Sequence, residues 1–94
     1  MRLLSCFFYK KIGIWAGVFG KDDIAADYWI RAAELESTAQ GSATSLITAA
    51  NHLTIAKKLP ESEAVLRRSI DIDNTQAPAW FNLGFLIQKR NAHD

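Results

Sequence analysis

Ninety-four residues make one small domain, and a chain of this size buries only about 60 to 65% of the surface it exposes when unfolded, so marginal stability is expected. With 49% apolar and 22% charged residues, the composition excludes a disordered chain. Eleven basic residues against ten acidic ones leave a net charge of +1, and no basic run exceeds the pairs Lys10-Lys11, Lys57-Lys58, Arg67-Arg68 and Lys89-Arg90, so no nucleic-acid interface is expected.

In chain order, the first helix is expected near residues 4–19, with Phe7 and Phe8 packed under the hairpin it opens. Its Cys6 has no disulfide partner, which favours a reducing, cytoplasmic setting. Leu3-Leu4-Ser5-Cys6 looks like a lipoprotein cleavage box, but too few residues precede it to form the apolar signal region of about 7 to 15. The apolar run Ile12 to Gly20 is shorter than the ~20 residues that a membrane span takes, so no span is expected. Gly20 suits the left-handed residue that closes a helix, and Asp22-Asp23 suit the N-cap and acidic first turn of a second helix over 22–37. The polar stretch Ser37 to Ser42 separates this from a third helix over 43–58. Pro60 opens a fourth over 60–73 and Pro78 a fifth over 77–90, each at a position where proline loses no hydrogen bond.

These helices repeat. Tyr9, Ile12, Gly13, Ala16, Gly20, Ala25, Trp29, Ala32 and Leu35 recur in class 37 residues later as Leu46, Ala49, Ala50, Leu53, Lys57, Ser62, Leu66, Ser69 and Ile72. A shift of 34 then gives Trp80, Leu83, Gly84, Ile87 and Asn91. Gly13, Ala50 and Gly84 would be the close-approach points on the first helix of each unit, and Ala25 and Ser62 those on the second. The difference of three residues between the shifts is assigned to an insertion within Ser37–Ser42. Trp15, Trp29 and Trp80, at repeat spacing, are expected in the core.

The pattern resembles the tetratricopeptide repeat. Ala79-Trp80-Phe81-Asn82-Leu83-Gly84 matches the opening of that unit closely, Tyr9, Ile12 and Gly13 match it loosely, and Ala25, Trp29 and Ala32 match its second helix. The usual terminal proline is absent, with Ser37 and Asn74 in its place, and Leu46 stands where the middle unit would have its aromatic. The resemblance implies an all-α, right-handed helical-hairpin repeat, a TPR-like α-solenoid of about two and a half repeats in five helices. Residues 1–94 would be one domain, with repeat 1 over about 6–39, repeat 2 over about 43–76 and a partial repeat 3 over about 77–94, the N-terminal portion of a longer array.

What the resemblance implies for function is a scaffold, not an enzyme, whose concave face receives a protein or peptide partner. Carried over by position, that face holds Lys10, Ile14 and Gly17, then Thr44, Ile47, Thr48 and Asn51, then Phe81, Asn82, Phe85 and Gln88. Only Lys10 fits the carboxylate clamp of chaperone-binding members; Ile14, Thr48, Pro78 and Asn82 depart from it. Self-association through an uncovered last helix is one alternative, and the recognition arm of a larger enzyme such as a glycosyltransferase is another. No cofactor, metal site or catalytic residue is expected. His52 lacks partners at ligand spacing, His93 lies in the tail, and Asp71 to Thr75 lacks the glycine and glutamate of a calcium loop. Glu63 with Arg67, and Arg67 with Asp71, are spaced for exposed ion pairs.

Overall fold

The structure, a computed structural model, describes residues 1–92, and every regular element among them is a helix. α1 spans Arg2–Val18, α2 Asp22–Leu35, α3 Ala39–Ile55, α4 Leu59–Ile72 and α5 Ala77–Ala92. Each helix packs on the next in the chain. Side chains also join alternate helices: Gly17 of α1 meets His52 of α3, and Asn51 of α3 bonds Asn82 of α5. The result is a slab with Cα extents of 46 × 30 × 15 Å.

The first two hairpins repeat at the 37-residue offset in their turns as well as their lengths, with α1 and α3 both 17 residues long and α2 and α4 both 14. Lys21 N donates to Ala16 O at 2.8 Å, and Lys58 N to Leu53 O at 2.9 Å. Gly20 N donates to Gly17 O at 3.1 Å, and Lys57 N to Thr54 O at 3.0 Å. Both turns therefore satisfy the last carbonyls of a helix through a left-handed residue, Gly20 at φ 74° and Lys57 at φ 67°. Pro60 lies in the first turn of α4, where its missing N–H costs nothing.

The start of α3 and the N-cap of α2 differ from expectation. α3 begins at Ala39, because the Thr38 side chain accepts from Gly41 N at 2.9 Å and caps the helix there. α3 thus runs eleven residues ahead of Ala50, whereas α5 runs seven ahead of Gly84, and the inserted residues form an extra helical turn in place of a loop. The N-cap of α2 is Lys21 and not Asp22; Asp22 and Asp23 lie in the first turn, where they favour the helix dipole without a capping bond.

Small residues set the core. Ala25, Ala26, Ala32, Ala33, Ala43, Ala49 and Ala50 are all buried, as are Ser62 and Ser69. Ser62 Oγ donates to Ala50 O at 2.8 Å and Ser69 Oγ to Ala43 O at 2.9 Å, so neither hydroxyl is left unpaired. In the first hairpin the polar side chain comes from the other helix: Cys6 Sγ, 37 residues before Ala43, lies 3.5 Å from Ala32 O, 37 residues before Ser69. Around these contacts Ile47, Leu66, Leu83 and Leu86 close one cluster, and Ala26, Ala49 and Leu53 a second.

The aromatic residues depart furthest from expectation. Trp15 is 64% exposed and Trp80 53%, so neither is core; only Trp29 is largely covered, by Gly13. Phe7 and Phe8 are both more than half exposed and do not pack under the hairpin. The covered side of α1 is formed by Cys6, Gly13 and Ala16, and the helical rotation turns the two phenylalanines away from it.

Candidate functional site

A cleft of about 370 Å³ runs between α3 and α5, lined by Asn51, Thr54 and Ile55 on one side and Phe81, Asn82, Phe85 and Leu86 on the other. Its position follows from α4, which spaces the two helices, with the buried Leu86 closing one side. Phe81, Phe85 and Ile55 present exposed apolar surface, Phe81 at 76%. Across the cleft Asn82 Nδ2 donates to Asn51 Oδ1 at 3.1 Å, which leaves the Asn51 NH₂ and the Asn82 carbonyl oxygen with no partner among the described residues. Apolar walls with a few polar groups held in place make up a binding surface that can orient a ligand. Lys89 lies 5.8 Å from the Phe85 ring centroid and puts a cation at the rim. A shallower depression adjoins, where Gln88 lies beside Trp80, Phe81, Gly84 and Phe85.

Of the eleven residues expected to form the binding face, the cleft gathers Asn51, Phe81, Asn82 and Phe85, with Gln88 next to it. Ile47 is corrected: it is buried among Leu66, Ala79, Leu83 and Leu86, because α4 and α5 close over that side of α3. Thr44 and Thr48 lie on the same helix but spend their hydroxyls on backbone carbonyls, Thr44 on Gln40 O at 2.8 Å and Thr48 on Thr44 O at 3.2 Å. Ile14 is exposed on α1, outside the cleft lining. Lys10 is held by the Glu36 carboxylate. The expected sequence reading missed Thr54, Ile55 and Leu86. The first two lie three and four residues beyond Asn51, so the helical period was the signal for them.

Polar residues elsewhere act between helices. His52 Nδ1 lies 2.7 Å from Asp22 Oδ1, both side chains mostly covered, which makes Asp22 a link between α2 and α3. The His52 ring occupies the space left open by Gly17, where a Cβ would come within 2.7 Å of its Cε1. Glu36 joins α1 to the end of α2: it pairs with Lys10 and accepts from Cys6 Sγ at 3.1 Å. The hydrogen bond from Lys10, and then that from Cys6, holds the Glu36 carboxyl below its ordinary range; burial, and then the Glu36 contact, pushes the Cys6 thiol up. Asp73 accepts from Thr75 Oγ1 at 2.6 Å, Thr75 N at 3.0 Å and Gln76 Nε2 at 3.2 Å, which keeps its carboxyl low and builds the turn before α5. Glu63 takes Arg67 at 3.2 Å and also Arg90 at 2.9 Å, tying α4 to α5, and this second bond was not expected.

Among the described residues no three His, Cys, Asp or Glu side chains gather where they could hold a metal ion, and no helix is long and apolar enough to cross a membrane. His93 lies outside the described residues. In comparisons with family models, curated proteins and solved structures, nothing matches this chain.

Proposed function

We propose that this chain is a protein- or peptide-binding module of the tetratricopeptide type, a non-catalytic right-handed array that takes a partner segment in the α3–α5 cleft. The observation that carries this reading is the cleft itself: exposed Phe81, Phe85 and Ile55 around an asparagine pair with uncommitted hydrogen-bonding groups. A short segment with an apolar side chain at each turn would seat that side chain between the two phenylalanines. Its polar groups would meet Asn51 and Asn82. The matched turns of the two hairpins and the Gly13–Trp29 contact support the repeat assignment. Lys10 is taken by Glu36, so a carboxylate clamp on the chaperone-binding plan is not part of the proposal. A cytoplasmic location belongs to the same reading, supported by a single buried free thiol.

Selection of peptides from a random display library against the immobilised chain tests the site. Selected peptides should lose at least about tenfold in affinity with Phe85→Ala, as expected for truncating a central aromatic contact, and a smaller factor with Asn82→Ala. Peptides that bind both variants as tightly as the unsubstituted chain would remove the cleft from consideration. A second reading, self-association, is favoured by the α5 surface at Trp80, Phe81 and Phe85, where a Cβ on Gly84 would meet nothing within 4 Å. Under that reading Phe85→Glu converts a dimer to a monomer in light scattering.

A further inference from the structure

The α3–α5 cleft leaves unexplained a run of exposed apolar side chains on α1. Comparison with α3 at the 37-residue offset shows what is unusual. On the side that lines the cleft in α3, Gln40, Thr44, Asn51 and Ile55 are replaced on α1 by Leu3, Phe7, Ile14 and Val18. On the side that α2 covers in α3, where Ala49 packs near Ala26 and His52 reaches Asp22, α1 carries Ile12 and Trp15. The same side has Gly41 and Ser45 on α3 but Leu4 and Phe8 on α1. All eight of these α1 residues are exposed, Val18 at 75%. At about 100° per residue they fill an arc of about 180° around the helix.

Four aromatic rings in that arc and its C-cap, Phe7, Phe8, Trp15 and Phe19, are each more than half exposed. Each ring therefore shows on the order of 100 Å² of apolar surface. With the aliphatic residues the patch exceeds the roughly 300 to 600 Å² of the largest patch on an ordinary monomer, a size that marks an interaction surface.

Three occupants differ in what they need. A further helix docked as α4 docks on Leu83 and Leu86 of α5 would cover the positions of Ile12 and Trp15, but only a stripe of about 100°, whereas α1 presents bulky side chains over nearly twice that arc. A second copy paired antiparallel on this face would set Lys11, midway between Leu3 and Phe19, against its own counterpart. A lipid surface needs a wide apolar face with cations around it. The charge distribution fits that case. Residues 1–21 carry Arg2, Lys10, Lys11 and Lys21 and no carboxylate; Lys10 is held by Glu36 and Arg2 donates to Glu34 O, which leaves Lys11 and Lys21 as the cations for a headgroup. Lys11 Nζ sits 5.2 Å from the Phe7 ring centroid, on a side chain long enough to lift its ammonium from the apolar face to a headgroup phosphate. Trp15, stacked on Phe19 at a centroid distance of 6.0 Å, supplies the interfacial ring.

We propose that the outer face of α1 is an interfacial membrane-binding surface that lies flat on an anionic lipid bilayer. α1 lies in the plane of the headgroups and does not span the bilayer. The proposal is independent of what the cleft binds.

Co-sedimentation of the chain with phosphatidylcholine vesicles, with and without phosphatidylserine, at low and high salt, tests it. The chain should pellet with the phosphatidylserine vesicles at low salt and be released at high salt. Phe8→Glu and Trp15→Glu should each lower the partition coefficient at least about tenfold, and Lys11→Ala about fivefold, the effect of one cation near an anionic surface. Phosphatidylserine with brominated acyl chains gives a readout on the unsubstituted chain and should quench its tryptophan fluorescence. Absence of both pelleting and quenching overturns the proposal, as does equal binding to vesicles of either composition. So does a stable dimer that Phe8→Glu dissociates while vesicle binding is absent, since that makes the face a contact between copies.

Discussion

Lys57 occupies the turn position that Gly20 fills one hairpin earlier, with a left-handed φ of 67° against 74°. A side chain in that region clashes with the backbone, at a cost of roughly 1 to 2 kcal/mol, while glycine gives back part of the difference through its freer unfolded state. Lys57→Gly should therefore stabilise the fold by about 0.5 to 1 kcal/mol, read as a rise in the urea midpoint at constant m-value. Gly20 was legible because glycine after a helical pattern marks a left-handed cap. Lys57 was visible only by alignment with Gly20, since nothing in a lysine announces a positive φ. The pairing of His52 with Asp22 was hidden for a similar reason: Asp22 read as a helix-start residue, and its partner lies thirty residues away.

At the level of helices, equivalent glycines have opposite roles. Gly13 lies against Trp29, where an added Cβ would be 2.7 Å from the indole Nε1 and 2.8 Å from Cδ1, atoms of a rigid ring. Gly84 has nothing within 4 Å of that position. Gly13→Ala should then cost about 1 to 2 kcal/mol, the overpacking penalty less the gain in helix propensity, and Gly84→Ala should stabilise by up to about 1 kcal/mol. Thermal unfolding of the two variants checks both signs, and a loss of stability in Gly84→Ala would mean that another surface packs on α5. The five helices were legible to within a turn, since their period, prolines and glycines are local signals. What lay beyond reach was which side of each helix is covered. A tryptophan at repeat spacing is buried only where a neighbour lies over it, so Trp29 is largely covered while Trp15 and Trp80 are not. Ile47 failed in the opposite sense, being covered by helices that follow it in the chain. The cleft was half legible for the same reason: Asn51, Phe81, Asn82 and Phe85 follow from repeat position, whereas Leu86 enters through the packing of α5 on α4.

Across the whole molecule, three groups with displaced titration shape stability against pH, and two of them, Glu36 and Cys6, meet where α1 joins the end of α2. Glu36 has its carboxyl held low, first by the Lys10 hydrogen bond, and Cys6 has its thiol pushed up, first by burial. For Glu36, in the window between its folded and unfolded values the unfolded chain binds more protons, so its stabilisation is complete above the ordinary glutamate range near pH 4.3 and is lost as pH falls through the folded value. For Cys6 the native chain binds more protons, so its contribution is complete below the ordinary thiol value near pH 8.5 and is lost as pH rises through the folded one. Urea midpoints should therefore form a plateau between about pH 5 and pH 8 and fall on both sides. In Glu36→Gln the acid limb should become shallower without disappearing, because Asp73, held low by its Thr75 bonds, still titrates. The alkaline limb should persist in that variant, since burial is the larger cause of the thiol shift, and should vanish in Cys6→Ala. An alkaline limb unchanged in Cys6→Ala would place its origin in another group and detach Cys6 from the stability of the first hairpin.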